Sequence, residues 1–135
     1  MRIGLLEDNP GVIDFMSILL EMAGHTVEVH THGSSLLETL FPETKVRFPL
    51  SYDLVIVDLL LPGTLSGLQT IQAIQQKLPS RQLPILIVTA VGPQILKEIN
   101  MTLPTVPVLR KPFQRRALLQ MIDYLTSCHE TKTGK

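Results

Sequence analysis

The sequence predicts an α/β fold, in which helices cover both faces of a parallel sheet. Short apolar segments rich in β-branched residues alternate along the 135 residues with segments whose apolar residues recur at helical spacing. Apolar residues make up 44% of the chain, which suits strands that are buried on both faces. This alternation is typical of parallel strands joined by right-handed crossovers, and the length fits one domain.

The first strand–helix unit opens with RIGLL at residues 2–6, a short apolar segment that predicts a buried strand. Asn9 can cap the helix that follows, and Pro10 suits its first turn. Gly24 ends that helix after a series of apolar residues at helical spacing. TVEVH at residues 26–30 then predicts a second, short strand.

The second helix and the third strand flank a loop. Ser35 and Glu38 predict a capping box for a short helix that reaches Phe41. Residues 42–51 predict a loop because they combine two prolines with mixed charge. YDLVIVD at residues 52–58 predicts the most apolar strand of the sheet.

The remaining elements complete the alternation. Ser66 can cap a third helix, and PILIVT at residues 84–89 predicts a buried fourth strand. A weaker pattern predicts a fourth helix at about 94–101. TVPVL at residues 105–109 predicts the last strand, which Pro107 places at an edge of the sheet. The apolar residues that define a final helix are Leu118, Met121, Ile122 and Leu125.

Composition narrows the possible classes of function. Twelve basic and twelve acidic residues cancel, so net charge gives no reason to expect direct nucleic-acid binding. Cys128 is the single cysteine, which excludes an internal disulfide and argues against a cysteine-based zinc site. No apolar segment has the length of a membrane span, and the amino terminus has no signal-peptide pattern. We therefore expect a cytoplasmic protein without a membrane partner.

Polar side chains follow four of the predicted strands. Glu7 and Asp8 follow the first strand, and Asp58 ends the third. Thr89 ends the fourth strand, and Lys111 follows the fifth. In open parallel sheets, ligands bind at the carboxyl ends of the strands. These five residues therefore predict one ionic site.

The chemistry of such a site is limited by its charges. Carboxylates on adjacent strands repel each other unless a cation lies between them, and Mg²⁺ prefers oxygen ligands of this kind. Asp58 can then act as a nucleophile toward a phosphoryl group. Lys111 and the metal would offset charge on the phosphoryl oxygens, and Thr89 could form a hydrogen bond to one of them.

Other motifs favour no second site. His30 and His32 lie two residues apart on a predicted strand, but no third ligand accompanies them, so we expect surface histidines. GTLSG at residues 63–67 lacks the lysine and the spacing of a P-loop.

The segments LLEDN, VIVDLLLPG, LIVTA and RKPF together resemble the receiver domain of two-component response regulators, over about residues 2–126. The resemblance implies a doubly wound, flavodoxin-like (βα)5 fold with strand order 2-1-3-4-5. It also implies a signalling domain rather than an enzyme, one that catalyses only its own phosphorylation and dephosphorylation. Its partners would be a histidine kinase or a histidine phosphotransfer protein, and an unknown downstream protein.

The resemblance also implies roles for individual residues. Asp58 would be the phosphoacceptor, Thr89 the switch hydroxyl and Lys111 the phosphate-binding lysine. The metal ligands of a bound Mg²⁺ would be Asp8, Asp58 and the backbone carbonyl of Leu60, with Glu7 acting more remotely. The peptide bond between Lys111 and the proline after it would be cis.

The chain departs from the family pattern at two places. Val108 stands where these domains usually have Tyr or Phe, three residues before the lysine, and the spacing from Pro62 to Gly67 is one residue longer than usual. These departures leave open a degenerate receiver that binds proteins without phosphorylation. A phosphatase on the same fold is a third possibility, although Leu60 stands where an acid–base carboxylate would be needed.

The expected organisation is a receiver domain at residues 1–127 and a polar tail at 128–135, frayed from residue 129. A homodimer through the fourth helix, fifth strand and fifth helix is possible for such a domain. The kinase, the pathway and the output are not predicted by these residues.

Overall fold

The computed structural model describes residues 1–59, 66–78 and 82–133, and side chains as far as residue 127. Within these ranges, five strands alternate with five helices, and one 3₁₀ turn at Pro42–Thr44 lies in the segment predicted as a loop. The elements are β1 (Arg2–Leu6), α1 (Pro10–Met22), β2 (Thr26–His30), α2 (Gly33–Leu40), β3 (Leu54–Val57), α3 (Gly67–Lys77), β4 (Ile85–Thr89), α4 (Pro93–Thr102), β5 (Val108–Arg110) and α5 (Arg115–Thr133).

The strands form one parallel sheet in the order β2-β1-β3-β4-β5, which confirms the expected order. β1 lies between β2 and β3, so that Leu6 is paired with both His30 and Val57. β5 lies at an edge, as the proline before it predicts. The strand order reverses between β1 and β3, and their carboxyl ends are therefore the expected place for a ligand.

The core consists of two apolar layers, one on each face of the sheet. On β3, Val55 and Val57 contribute to the layer beneath α2, α3 and α4, whereas Leu54 and Ile56 contribute to the layer beneath α1 and α5. All four side chains have no exposed surface. Burying one such side chain stabilises a fold by roughly 1.5–3 kcal/mol. This burial explains why β3 is apolar throughout. The buried strand also fixes the position of Asp58, the residue that follows it.

Two of the three predicted helix starts are correct. The side chain of Asn9 accepts a hydrogen bond from the N–H of Val12 at 3.1 Å, and Ser66 forms a capping box at the start of α3. The capping box predicted at Ser35 is wrong. α2 begins at Gly33, with His32 rather than Ser35 at the N-cap position, and the Ser35 hydroxyl bonds to a buried histidine instead.

Other boundaries also differ from the prediction. β3 is Leu54–Val57 rather than residues 52–58. β5 is Val108–Arg110 rather than residues 105–109, because pairing with β4 begins at Val108. α5 continues to Thr133. The polar segment that we predicted to be frayed from residue 129 is therefore helical as far as Thr133. In the described part of the chain, no helix combines the length and the apolar character needed to cross a membrane.

Candidate functional site

Three carboxylates meet at the carboxyl ends of β1 and β3. The N–H of Asp58 donates to the carbonyl of Leu6 at 2.9 Å, which extends the pairing of these strands by one residue. Asp58 is thereby placed beside Glu7 and Asp8, which follow β1 directly. One oxygen from each of the three carboxylates lies within 4.8 Å of the others.

The carboxylates differ in burial. Glu7 is 1% exposed and Asp58 is 6% exposed, whereas Asp8 faces solvent. Burial raises the pKa of Glu7, and the charge of Asp58 raises it further, although the hydrogen bond from Lys111 opposes both effects. The site therefore concentrates negative charge in a place that water reaches poorly.

Lys111 supplies the compensating positive charge. Its Nζ donates to Oε1 of Glu7 at 2.8 Å and to Oδ2 of Asp58 at 3.4 Å. Burial alone would lower the pKa of Lys111, but the hydrogen bond to Glu7 and the charges of both carboxylates outweigh it and raise that pKa. The ammonium is therefore protonated at neutral pH.

The backbone around Lys111 explains how the side chain reaches the site. Its N–H donates to the carbonyl of Thr89 at 2.8 Å, which ties the end of β5 to the end of β4. The peptide bond between Lys111 and Pro112 is cis, as expected. The hydrogen bond to Thr89 fixes the backbone of Lys111 at the end of β5, from where its side chain reaches Asp58.

Thr89 and Val108 lie on β4 and β5, the strands between which the backbone of Lys111 is bonded. Thr89 ends β4 and is completely buried, and its hydroxyl accepts a hydrogen bond from the N–H of Val91 at 3.4 Å. Val108 is partly buried and packs against the apolar layer beneath α2, α3 and α4. Leu60, the residue expected to offer a backbone carbonyl, lies outside the described residues.

The donor set fits a hard divalent cation. It consists of carboxylate oxygens from Glu7, Asp8 and Asp58, which is the ligand type that Mg²⁺ prefers. Asp8 is the exposed member, so a metal held here would keep contact with water. Mg²⁺ commonly keeps several waters in its protein sites.

A surface cavity of about 400 Å³ opens next to the site. Its lining residues are Val12, Phe15, Ala90, Lys111, Pro112 and Phe113. The rings of Phe15 and Phe113 lie 6.0 Å apart, and Phe15 is 47% exposed. Neighbouring Ile18 on α1 is 59% exposed. An apolar surface therefore borders the charged cluster.

The prediction that His30 is a surface residue is wrong. His30 is 6% exposed and lies at the end of β2, whereas His32 is exposed at the start of α2. The Nδ1 of His30 lies 2.7 Å from the Ser35 hydroxyl, and its Nε2 lies 2.5 Å from the hydroxyl of Tyr52. Tyr52 in turn donates to the carboxylate of Glu28.

One glycine signals this polar network in the sequence. A Cβ on Gly4 would lie 2.7 Å from the ring of Tyr52, so the ring needs the space that this glycine leaves. A glycine inside a strand commonly marks such a close approach. No comparable signal identifies His30, because its partners come from β2, α2 and the segment before β3.

Comparison with known families agrees with this geometry. A model of the response regulator receiver domain matches residues 3–123. The transcriptional regulatory protein CpxR homolog of Haemophilus influenzae is 30% identical over 118 residues, which are 87% of this chain and 47% of that protein. The chain thus spans about half the length of the curated relatives that it matches.

Solved structures share the fold. The receiver domain of sensor histidine kinase PA1611 from Pseudomonas aeruginosa PAO1 has a magnesium ion coordinated in its active site cleft. It is 25% identical with a TM-score of 0.79, and the match covers 93% of this chain and 97% of that one. A CheY-like receiver domain protein from Methanospirillum hungatei JF-1 is 19% identical with a TM-score of 0.78, and the match covers 97% of both chains.

Proposed function

The chain belongs to the family of response regulator receiver domains, and we propose that Asp58 accepts a phosphoryl group from a phosphohistidine of a partner protein. The observation that carries this proposal is the position of Asp58 at the end of β3, with the ammonium of Lys111 3.4 Å away. A buried carboxylate beside a fixed cation is suited to attack on an anionic group.

The proposed reaction is a transfer between two side chains. An oxygen of Asp58 attacks phosphorus, the bond between phosphorus and the donor's imidazole nitrogen breaks, and that nitrogen keeps the electron pair. The product is an acyl phosphate on Asp58. Lys111 would bind one phosphoryl oxygen, and the hydroxyl of Thr89 would bind another. Hydrolysis by the domain itself would later return Asp58 to the carboxylate.

We further propose that Glu7, Asp8 and Asp58 hold Mg²⁺, as the geometry of their oxygens allows. The backbone carbonyl of Leu60 would be another ligand, and Glu7 would act less directly than Asp8. When bound, the metal supplies positive charge that offsets the charge on the phosphoryl oxygens. Mg²⁺ in the cleft of the Pseudomonas receiver domain supports the same choice here.

The proposed phosphodonor is a histidine kinase or a histidine phosphotransfer protein. The apolar surface formed by Phe15, Ile18 and Phe113 borders Lys111 and would admit a partner close to Asp58. Phosphorylation would then change the surface of α4, β5 and α5, which would contact a downstream protein or a second copy. We place the functional unit within residues 1–127.

Intact mass spectrometry tests the phosphoacceptor. After incubation with acetyl phosphate and Mg²⁺, we expect one phosphoryl adduct on the wild-type chain and none on Asp58→Asn. Asp123→Asn, which changes an exposed acid on α5, is the matched control and should be phosphorylated normally. An adduct that persists in Asp58→Asn would contradict the assignment, and a wild-type chain without an adduct would favour a degenerate receiver.

A second measurement tests the metal. Asp8→Asn should weaken Mg²⁺ binding and phosphorylation together, whereas Asp14→Asn, an exposed acid on α1, should change neither. If the wild-type chain is phosphorylated equally fast in EDTA, Mg²⁺ has no part in the reaction.

A further inference from the structure

The first residue of α3 touches the backbone of the proposed phosphoacceptor. A Cβ on Gly67 would overlap the carbonyl oxygen of Asp58 and would lie 2.7 Å from the Cα of Leu59. Both atoms belong to the main chain, so rotation of a side chain cannot relieve the overlap. Gly67 is helical, and the glycine is therefore needed for space rather than for an unusual backbone conformation.

The conformation of the first turn of α3 is fixed by its own hydrogen bonds, and the turn is packed into the core. The N–H of Ser66 donates to Oε1 of Gln69 at 2.9 Å, and the Ser66 hydroxyl accepts from the N–H of Gln69 at 3.2 Å. The hydroxyl of Thr70, which is completely buried, donates to the carbonyl of Ser66 at 2.8 Å. Ile71 is also fully buried. The helix therefore cannot move away from Asp58 without loss of the packing of Thr70 and Ile71.

Asp58 is restrained from the opposite side as well. Its N–H is bonded to the carbonyl of Leu6 at 2.9 Å, and its carboxylate lies 3.4 Å from the ammonium of Lys111. The peptide unit after Asp58 thus lies between β1 and the first turn of α3. Displacement of this peptide would change the position of the carboxylate relative to Lys111.

We propose that Gly67 is a positioning residue, which places the backbone of Asp58 so that its carboxylate faces Lys111, Glu7 and Asp8. This inference rests on the proposed function. The position of Asp58 then depends on direct contact with the helix start.

The test compares two glycine substitutions. Gly67→Ala introduces the overlap described above, whereas Gly92→Ala adds a Cβ with no atom within 4 Å at the start of α4. For each variant, the rate of phosphorylation by acetyl phosphate is measured across a Mg²⁺ titration, together with the thermal unfolding midpoint. A misplacement of about 1 Å can cost on the order of 10²-fold in rate. We expect Gly67→Ala to be at least about tenfold slower and Gly92→Ala to stay within about twofold of wild type.

A second variant keeps the inference testable if Gly67→Ala does not fold. Ser66→Ala removes the cap without adding atoms. It should slow phosphorylation more than Gly92→Ala does when both variants are measured well below their unfolding midpoints. The inference is wrong if Gly67→Ala has the wild-type rate and Mg²⁺ dependence. It is also wrong if Gly67→Ala does not fold and Ser66→Ala is phosphorylated at the wild-type rate. If the wild-type chain takes no phosphate, the proposed function fails. The inference about Gly67 is then decided by Mg²⁺ affinity, which Gly67→Ala should lower.

Discussion

The ammonium of Lys111 donates its shorter hydrogen bond, 2.8 Å, to Glu7 rather than to the proposed phosphoacceptor. Glu7 is almost completely buried, so this bond pairs a carboxylate that water hardly reaches. The contact to Asp58 is longer, at 3.4 Å. An incoming phosphoryl group would therefore meet a lysine that is already held in position by a residue 104 positions earlier in the chain.

Removing the charge of Lys111 should destabilise the metal-free domain. Lys111→Met keeps the apolar stem but leaves Glu7 and Asp58 without their shared cation. Removing one partner of a buried ion pair typically costs about 3–5 kcal/mol. Because Lys111 is partly exposed, we expect a smaller loss of unfolding free energy, about 2 kcal/mol. Urea unfolding in EDTA measures this loss, and added Mg²⁺ should reduce it. Lys97→Met, on the exposed side of α4, should change the free energy of unfolding little; equal losses in both variants would contradict the argument.

The polar network around His30 should make stability depend on pH. Burial lowers the pKa of His30, although the carboxylate of Glu28 opposes this effect, and Ser35 and Tyr52 occupy its ring nitrogens. Because the folded state has the lower pKa, it binds fewer protons than the unfolded state. The contribution to stability is therefore present above the ordinary histidine pKa of 6.5 and is lost as pH falls below it.

His30→Gln tests this pH dependence, because glutamine forms hydrogen bonds but does not titrate. Urea unfolding between pH 8 and pH 5 should show a steeper loss of unfolding free energy for the wild type than for His30→Gln. The difference of one bound proton can change the unfolding free energy by at most about 1.4 kcal/mol per pH unit. His25 also has a pKa lowered by burial. The variant His25→Gln therefore measures how much this second histidine contributes to the same pH dependence. Identical pH profiles for wild type and His30→Gln would exclude His30 as the cause.

Val108 should limit how far phosphorylation changes the surface of α4, β5 and α5. Its side chain is small and packs against the core, and it provides no ring that could follow a displacement of Thr89, if phosphorylation displaces the hydroxyl as proposed. With beryllofluoride as a phosphate mimic, we expect amide chemical shifts to change modestly in residues 90–112. Val108→Tyr should give larger changes there. Large changes confined to residues 90–112 of the wild-type chain would contradict this expectation.

The phosphorylated state should be long-lived. The residues two positions after Asp58 and Thr89 are Leu60 and Val91, and neither side chain can orient a water for attack. Val91 is buried, whereas Leu60 lies outside the described residues. The double variant Leu60→Asn, Val91→Glu should lose phosphate about tenfold faster, which is well below the ~10²–10⁴-fold contribution of positioned proton-transfer groups. Intact mass spectrometry measures the decay of the phosphorylated chain over time. Equal or slower loss of phosphate in the double variant would contradict a role for these two side chains in water access.

Local sequence patterns were sufficient for most of the fold. The apolar segments, the caps at Asn9 and Ser66 and the alternation of strands with helices depend on residues close together in the chain. The strand order came from resemblance to a family, and the structure confirms it. The error at Ser35 has a physical reason. A serine hydroxyl that can cap a helix can equally bond to a histidine from a neighbouring strand, and only packing determines which partner is nearer.

The sequence by itself determined that Glu7, Asp8, Asp58, Thr89 and Lys111 come to one edge of the sheet, because each follows or ends a strand and parallel strands end at the same edge. Only the tertiary structure decided the distances among them, and with these the closer pairing of Lys111 with Glu7. The same holds for the burial of His30 and for the contact of Gly67 with Asp58. Each depends on how elements far apart in the chain pack together, and that packing is set by the shape of the whole core.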